Sequence, residues 1–132
     1  TMPEATIAAL NRFSILAEKT SGRLILIAGG QDKNLDFKKM ARAIDKSVSV
    51  LILLPGKATK KLKKSLEKTG FKEKNMVEID SMLEAVTKAK NLAQKGDLII
   101  FSPGATSFGL FNNEFDRGRQ FLNSIERLTK HP

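Results

Sequence analysis

The sequence has no cysteine, no tryptophan and no tyrosine, and its only histidine is His131, one residue from the end. Without cysteine there is no disulfide, no thiol nucleophile and no thiolate metal site. A lone histidine at the terminus removes histidine-based triads and histidine-rich metal centres from consideration. No apolar run approaches the ~20 residues needed to cross a bilayer. The opening TMPEATIAAL lacks the basic start and long apolar centre of a secretory signal. These absences lead to the expectation of a cytoplasmic protein. There is also no repeat, no low-complexity tract and no linker rich in proline or serine, so residues 1–132 are expected to form a single domain.

The composition is that of a globular protein, with 41% hydrophobic and 28% charged residues. The formal net charge is +9. Much of the excess is local: between Lys57 and Lys74 there are eight lysines and only two acids, Glu67 and Glu73. A basic patch can attract nucleic acid or an anionic surface. Leu62, Leu66 and Phe71 recur among these lysines as a buried side would, and the run holds no arginine. No tryptophan or tyrosine is available to stack on bases. The run is therefore read as the solvated face of a helix.

Pro3 near the start of a segment with Ile7, Leu10 and Phe13 predicts a helix over Pro3 to Phe13. The apolar run Leu24 to Ala28 predicts a buried strand closed by Gly29-Gly30. Phe37, Met40, Ala41 and Ile44 have helical spacing, and Val48 to Leu54 reads as a second buried strand stopped by Pro55-Gly56. A lysine-bearing helix from Lys60 to Thr69 is expected to end at Gly70, and a short strand follows over Met76 to Ile79. Ser81-Met82-Leu83-Glu84 has capping-box spacing and opens a helix through Val86, Ala89, Leu92 and Ala93 that stops at Gly96. Leu98 to Phe101 is the last strand, and Phe115, Leu122, Ile125 and Leu128 mark a closing helix. Continuous apolar strands alternating with amphipathic helices predict a Rossmann-like α/β domain, its mainly parallel sheet covered by helices on both faces.

In such a sheet, ligands gather beyond the carboxyl ends of the strands. Two loops there draw attention: Gly29-Gly30-Gln31-Asp32-Lys33, and Ser102 to Ser107. Neither is a phosphate loop, because GxxxxGK followed by Ser or Thr, and GxGxxG, are both absent. By itself a Gly-Gly pair is equally a tight turn, Ser107 equally a helix cap and Lys33 equally a surface cation. Together they could hold a small carboxylate, with Lys33 as the point charge and Thr106, Ser107 and backbone N–H groups as donors.

IAGGQDKNLDF (27–37), GDLIIFSPGATSFGLFNNEFDRGRQF (96–121) and the opening PEATIAAL (3–10) resemble the C-terminal domain of Mur ligases, most closely the members that add D-glutamate. The likeness runs over essentially the whole chain. It implies a domain excised from a three-domain enzyme, whose other domains hold a UDP-sugar and ATP. The implied reaction is ATP-driven amide formation: the carboxylate of UDP-MurNAc-L-alanine becomes an acyl phosphate, which the amine of D-glutamate attacks. The resemblance implies that Lys33 and Ser107 bind the side-chain carboxylate of D-glutamate, with Phe108 beside the serine. Thr1 falls where the family has a threonine near the amino acid, and Phe115 where it has an aromatic. No catalytic residue and no metal ligand is expected within this domain; ATP and Mg2+ are expected mainly outside it, where the central ATPase domain would be its partner. The expected protein is a monomer with no nucleic-acid or membrane partner. Two alternatives remain open at this stage: a basic nucleic-acid-binding module using Lys57–Lys74, and another Mur or folylpolyglutamate-type ligase domain.

Overall fold

A computed structural model describes residues 2–31, 34–104 and 117–123. The chain runs α1 (Pro3–Lys19), β1 (Leu24–Ala28), α2 (Lys38–Ser47), β2 (Val50–Leu53), α3 (Lys57–Glu67), a 3-10 turn (Glu73–Asn75), β3 (Met76–Glu78), α4 (Met82–Leu92) and β4 (Leu98–Phe101). Residues 117–123 are helical. The four strands form one sheet in the order β3-β2-β1-β4, and every pairing is parallel. The Rossmann-like α/β expectation therefore holds.

Parallel neighbours need crossover helices, and those helices cover both faces. This is why β1 has no polar face: Leu24, Leu26 and Ala28 join one core with α1, α2 and α3, while Ile25 and Ile27 join another with α4. Strand β2 alternates in the same way, with Leu51 and Leu53 on the first side and Ile52 and Leu54 on the second. Phe121, in the helical stretch 117–123, stacks on Phe101 at 4.7 Å between ring centroids and closes the second core near β4.

Strands β1 and β4 have the bounds that their apolar runs predicted. Helix α1 continues to Lys19, beyond the expected Phe13, because its last turns bury only Ala17 and leave the apolar periodicity faint. The strand expected over Val48 to Leu54 is confined to Val50–Leu53, since the Val48 N–H still closes α2 onto Ile44. Gly70 is not the cap of the lysine helix. Helix α3 ends at Glu67, and Thr69 closes it: its N–H and hydroxyl both donate to the Leu66 carbonyl, the hydroxyl at 2.7 Å, and its Oγ1 accepts from Phe71 N–H. The predicted cap of α4 is present, with Ser81 Oγ accepting from the Glu84 N–H at 3.2 Å. The helix itself stops at Leu92, and Gly96 lies in the turn that follows. Of the closing helix, Ile125 and Leu128 lie outside the described residues.

Candidate ligand-binding edge

The order β3-β2-β1-β4 contains a topological switch. From β1 the chain builds outward through α2, β2, α3 and β3, then crosses back through α4 on the opposite face to place β4 on the other side of β1. The chain after β1 continues into α2 on one face, while Phe121, beyond β4, packs on the other. In open α/β sheets such a switch point is where ligands gather, beyond the carboxyl ends of the strands. The described parts of the two loops singled out in the sequence, Gly29–Gln31 and Ser102–Gly104, follow β1 and β4 at this edge.

Direct bonds join them. Gly29 N–H donates to the Pro103 carbonyl at 2.9 Å, and Ser102 N–H to the Ile27 carbonyl at 3.2 Å. Helix α1 is tied to the same edge through Thr6, which is fully buried; its Oγ1 lies 2.9 Å from Ser102 Oγ and 3.2 Å from the Ser102 carbonyl. The loops after β1 and β4 and the first turns of α1 therefore form one hydrogen-bonded unit.

A third loop, after β2, completes the clasp. The Ala58 N–H at the start of α3 donates to the Gly30 carbonyl at 3.0 Å, and the Lys57 N–H to Gln31 Oε1 at 3.4 Å. The buried Thr59 hydroxyl donates to the Leu54 carbonyl and accepts from the Gly30 N–H at 3.3 Å. Acceptors from the β1 loop thus satisfy amide groups that a helix start leaves open, so protein atoms fill this helix terminus. Two glycines make the approach possible. Gly29, at φ 107°, would with a Cβ meet Thr59 Oγ1 at 2.5 Å and the Leu54 carbonyl at 2.7 Å; a Cβ on Gly56, at φ 147°, would overlap the Gly30 carbonyl. Sequence reading overlooked this third loop. Pro55-Gly56 immediately after a buried strand was the available signal, since parallel topology puts every such loop on one edge.

The site residues named from the sequence, Thr1, Lys33, Thr106, Ser107, Phe108 and Phe115, all lie outside the described residues. The structure brings together described residues that adjoin four of them in the chain: Gly29 to Gln31 before Lys33, Ser102 to Gly104 before Thr106 and Ser107, and the opening turn of α1 after Thr1. Arg117, two residues after Phe115, is buried, its guanidinium carbon 6.0 Å from the Phe101 ring centroid. Among the described residues no group of three or more His, Asp or Glu could hold a metal ion, and no helix is long and apolar enough to cross a membrane.

The strongest charge interaction lies at the opposite end of the sheet. Asp97, just before β4, accepts from Arg23 N–H at 2.8 Å, from Arg23 Nε at 3.2 Å and Nη2 at 2.8 Å, and from Gln94 N–H at 2.8 Å. The Arg23 side-chain hydrogen bonds, then those from the Gln94 and Arg23 backbones, hold its carboxyl down from 3.8 to about 2. It has the shifted acidity of an active-site carboxylate, but its three bonds from Arg23 tie the starts of β1 and β4 together and the fourth, from Gln94, braces the turn before β4.

The family described as "Mur ligase, glutamate ligase domain" matches residues 1–104. Among curated proteins, the chain is 40% identical over 129 residues to a UDP-N-acetylmuramoylalanine–D-glutamate ligase of Roseiflexus sp. (strain RS-1), covering 98% of this chain and 26% of that protein. It is 42% identical over 129 residues to the ligase of the same name from Borreliella burgdorferi (strain ZS7), covering 97% and 27%. To that of Caldanaerobacter subterraneus subsp. tengcongensis it is 37% identical over 130 residues, covering 98% and 27%. The chain thus spans about a quarter of the length of these relatives.

Proposed function

Because the chain belongs to the Mur ligase glutamate-ligase-domain family, we propose that it is the amino-acid-binding domain of a ligase that adds D-glutamate to UDP-MurNAc-L-alanine during peptidoglycan precursor synthesis. The observation that carries this reading is the joined pair of loops at the β1/β4 switch point, bonded from Gly29 N–H to the Pro103 carbonyl. The relatives that match nearly all of this chain bear the name of that ligase.

In this reading Lys33 supplies the cation for the side-chain carboxylate of D-glutamate, and Ser107 and Thr106 donate to it, with Phe108, Phe115 and Thr1 around the amino acid. A lysine and neutral donors suit a small dianion, because a point charge is flanked by directional hydrogen bonds. The interlocked glycine loops, which lead in the chain to Lys33, Thr106 and Ser107, support this reading. Holding the amine against the activated carboxyl makes the amide-forming step effectively intramolecular, an advantage of roughly 7–11 kcal/mol when alignment is good. Closure of the domain onto its partner domain would also exclude water from the activated carboxyl.

ATP and Mg2+ belong, in this proposal, to other domains of a cytoplasmic, monomeric three-domain enzyme. The test is coupled detection of ADP release by the full-length protein given UDP-MurNAc-L-alanine. Turnover should require D-glutamate and fail with L-glutamate or diaminopimelate. Turnover with another amino acid in its place would overturn the substrate assignment.

A further inference from the structure

The lysine run was read as the solvated face of one helix, yet the fold adds a second basic helix to it. Helices α2 and α3 pack side by side on the same face of the sheet. Helix α2 carries Lys38, Lys39, Arg42 and Lys46, and α3 carries Lys57, Lys60, Lys61, Lys63 and Lys64. Against these nine cations the two helices contain only Asp45 and Glu67. Two helices of 10 and 11 residues therefore hold a surplus of seven out of the net +9 of the whole chain. All the cations but Lys63 are exposed, and Lys63 is paired with Glu78 at 2.8 Å. On the opposite face α4 has Lys88 and Lys90 against Glu84, so the asymmetry belongs to one face.

The third helix of that layer differs in kind. Helix α1 packs on α2 and is electrically balanced, with Glu4 and Glu18 against Arg12 and Lys19. Near its end it exposes Ile15 and Leu16, at 56% and 42%. Ser14, Ala17 and Glu18 line one cleft with Lys46 of α2, so the turn of α1 that exposes these aliphatic residues lies near the end of the basic helix.

We infer that the α1–α2–α3 face is a docking surface for an anionic lipid bilayer. Lysine-rich helices lying along a surface of negative headgroups gain about 1 kcal/mol per cation close to it, and adjacent exposed aliphatic side chains can enter the headgroup region. Three features favour a bilayer over nucleic acid: eight of the nine cations are lysine, no tryptophan or tyrosine exists to stack on bases, and an exposed Ile-Leu pair has no use against phosphodiesters. The expectation of no membrane partner followed from judging the lysine run without α2 and α1 beside it. This surface uses none of the residues assigned to D-glutamate, so the two readings stand or fall separately.

The test is co-sedimentation of the full chain with vesicles of phosphatidylcholine alone or mixed with phosphatidylglycerol. The protein should pellet only with the anionic vesicles and be released as salt is raised. Reversing four charges, Lys39→Glu and Arg42→Glu on α2 with Lys60→Glu and Lys64→Glu on α3, should weaken binding by roughly 100-fold or more. Ile15→Ser with Leu16→Ser should weaken it by roughly tenfold. A control with Lys88→Glu and Lys90→Glu alters charge on α4, across the sheet from this face, and should bind as before, circular dichroism verifying the fold of each variant. Failure to bind anionic vesicles at low salt would overturn the inference. So would an equal loss in the Lys88/Lys90 control and in a variant carrying only Lys60→Glu and Lys64→Glu, or tighter binding to duplex DNA than to the vesicles.

Discussion

At the amino edge of the sheet, a buried carboxylate makes four hydrogen bonds and fastens the start of β1 to the turn before β4. At the carboxyl edge, the three loops after β1, β2 and β4 are joined by backbone amides, carbonyls and the Thr59 hydroxyl. Both ends are tightly bonded, but they treat charge in opposite ways. Asp97 and Arg23 neutralise each other and leave nothing for a ligand. The described residues of the carboxyl edge are joined through neutral groups. A perturbed carboxylate marks a functional site only when its bonds leave capacity for another molecule. Those of Asp97 do not.

The sharpest way to break the carboxyl edge is Gly56→Ala. The new Cβ overlaps backbone, not a movable side chain, so about 3 kcal/mol of stability should be lost, lowering Tm by about 10 °C in calorimetry. The amino edge should break with Asp97→Asn, at a cost of about 2 kcal/mol in urea unfolding, because Arg23 loses its charged partner. This variant should leave the KM for D-glutamate of the full-length ligase unchanged. The pH dependence has a definite sign. The folded carboxyl is held at about 2 against 3.8 ordinarily, so its contribution is complete above 3.8 and disappears as pH falls from there towards 2. Asp97→Asn should flatten the acid limb of stability in that window.

Thr59→Val keeps the shape but removes the hydroxyl that joins Leu54 to Gly30, and should cost about 1–2 kcal/mol, while Thr59→Ser should recover most of it. Ser81→Ala, which removes the α4 cap in the loop after β3 and outside the three joined loops, should cost about 1 kcal/mol. The smallest effect belongs to Lys63→Ala. Its exposed bond to Glu78 raises the lysine pKa, but an exposed pair is worth at most about 0.5 kcal/mol.

Strand β1 was legible because a strand buried on both faces is apolar at every position and Gly29 follows it. Strand β4 was legible from its continuous apolar run before Pro103, although it is an edge strand of the described sheet and exposes Ile99. The position of the candidate edge followed from the parallel topology. Features set by contacts distant in sequence were not legible. Helix α3 begins at Lys57, three residues before the expected Lys60, because Gly30 and Gln31 of a different loop cap its start. Thr69 closes that helix through its side chain, so Gly70 never needs a left-handed conformation. The last turns of α1 expose their apolar residues, which removes the periodicity by which a helix is recognised. At the candidate edge, the sequence named charged and hydroxylated residues from chemistry and family likeness, but the Thr59 clasp between Gly30 and Leu54 exists only through packing.

The account rests on the carboxyl edge holding D-glutamate through Lys33, and steady-state kinetics of Lys33→Ala in the full-length ligase test this most directly. Loss of a charge-assisted hydrogen bond, roughly 1.5–3 kcal/mol, predicts a rise of about ten- to a hundredfold in the KM for D-glutamate with the KM for ATP unchanged. An unchanged KM for D-glutamate, or an equal rise in both constants, would contradict it.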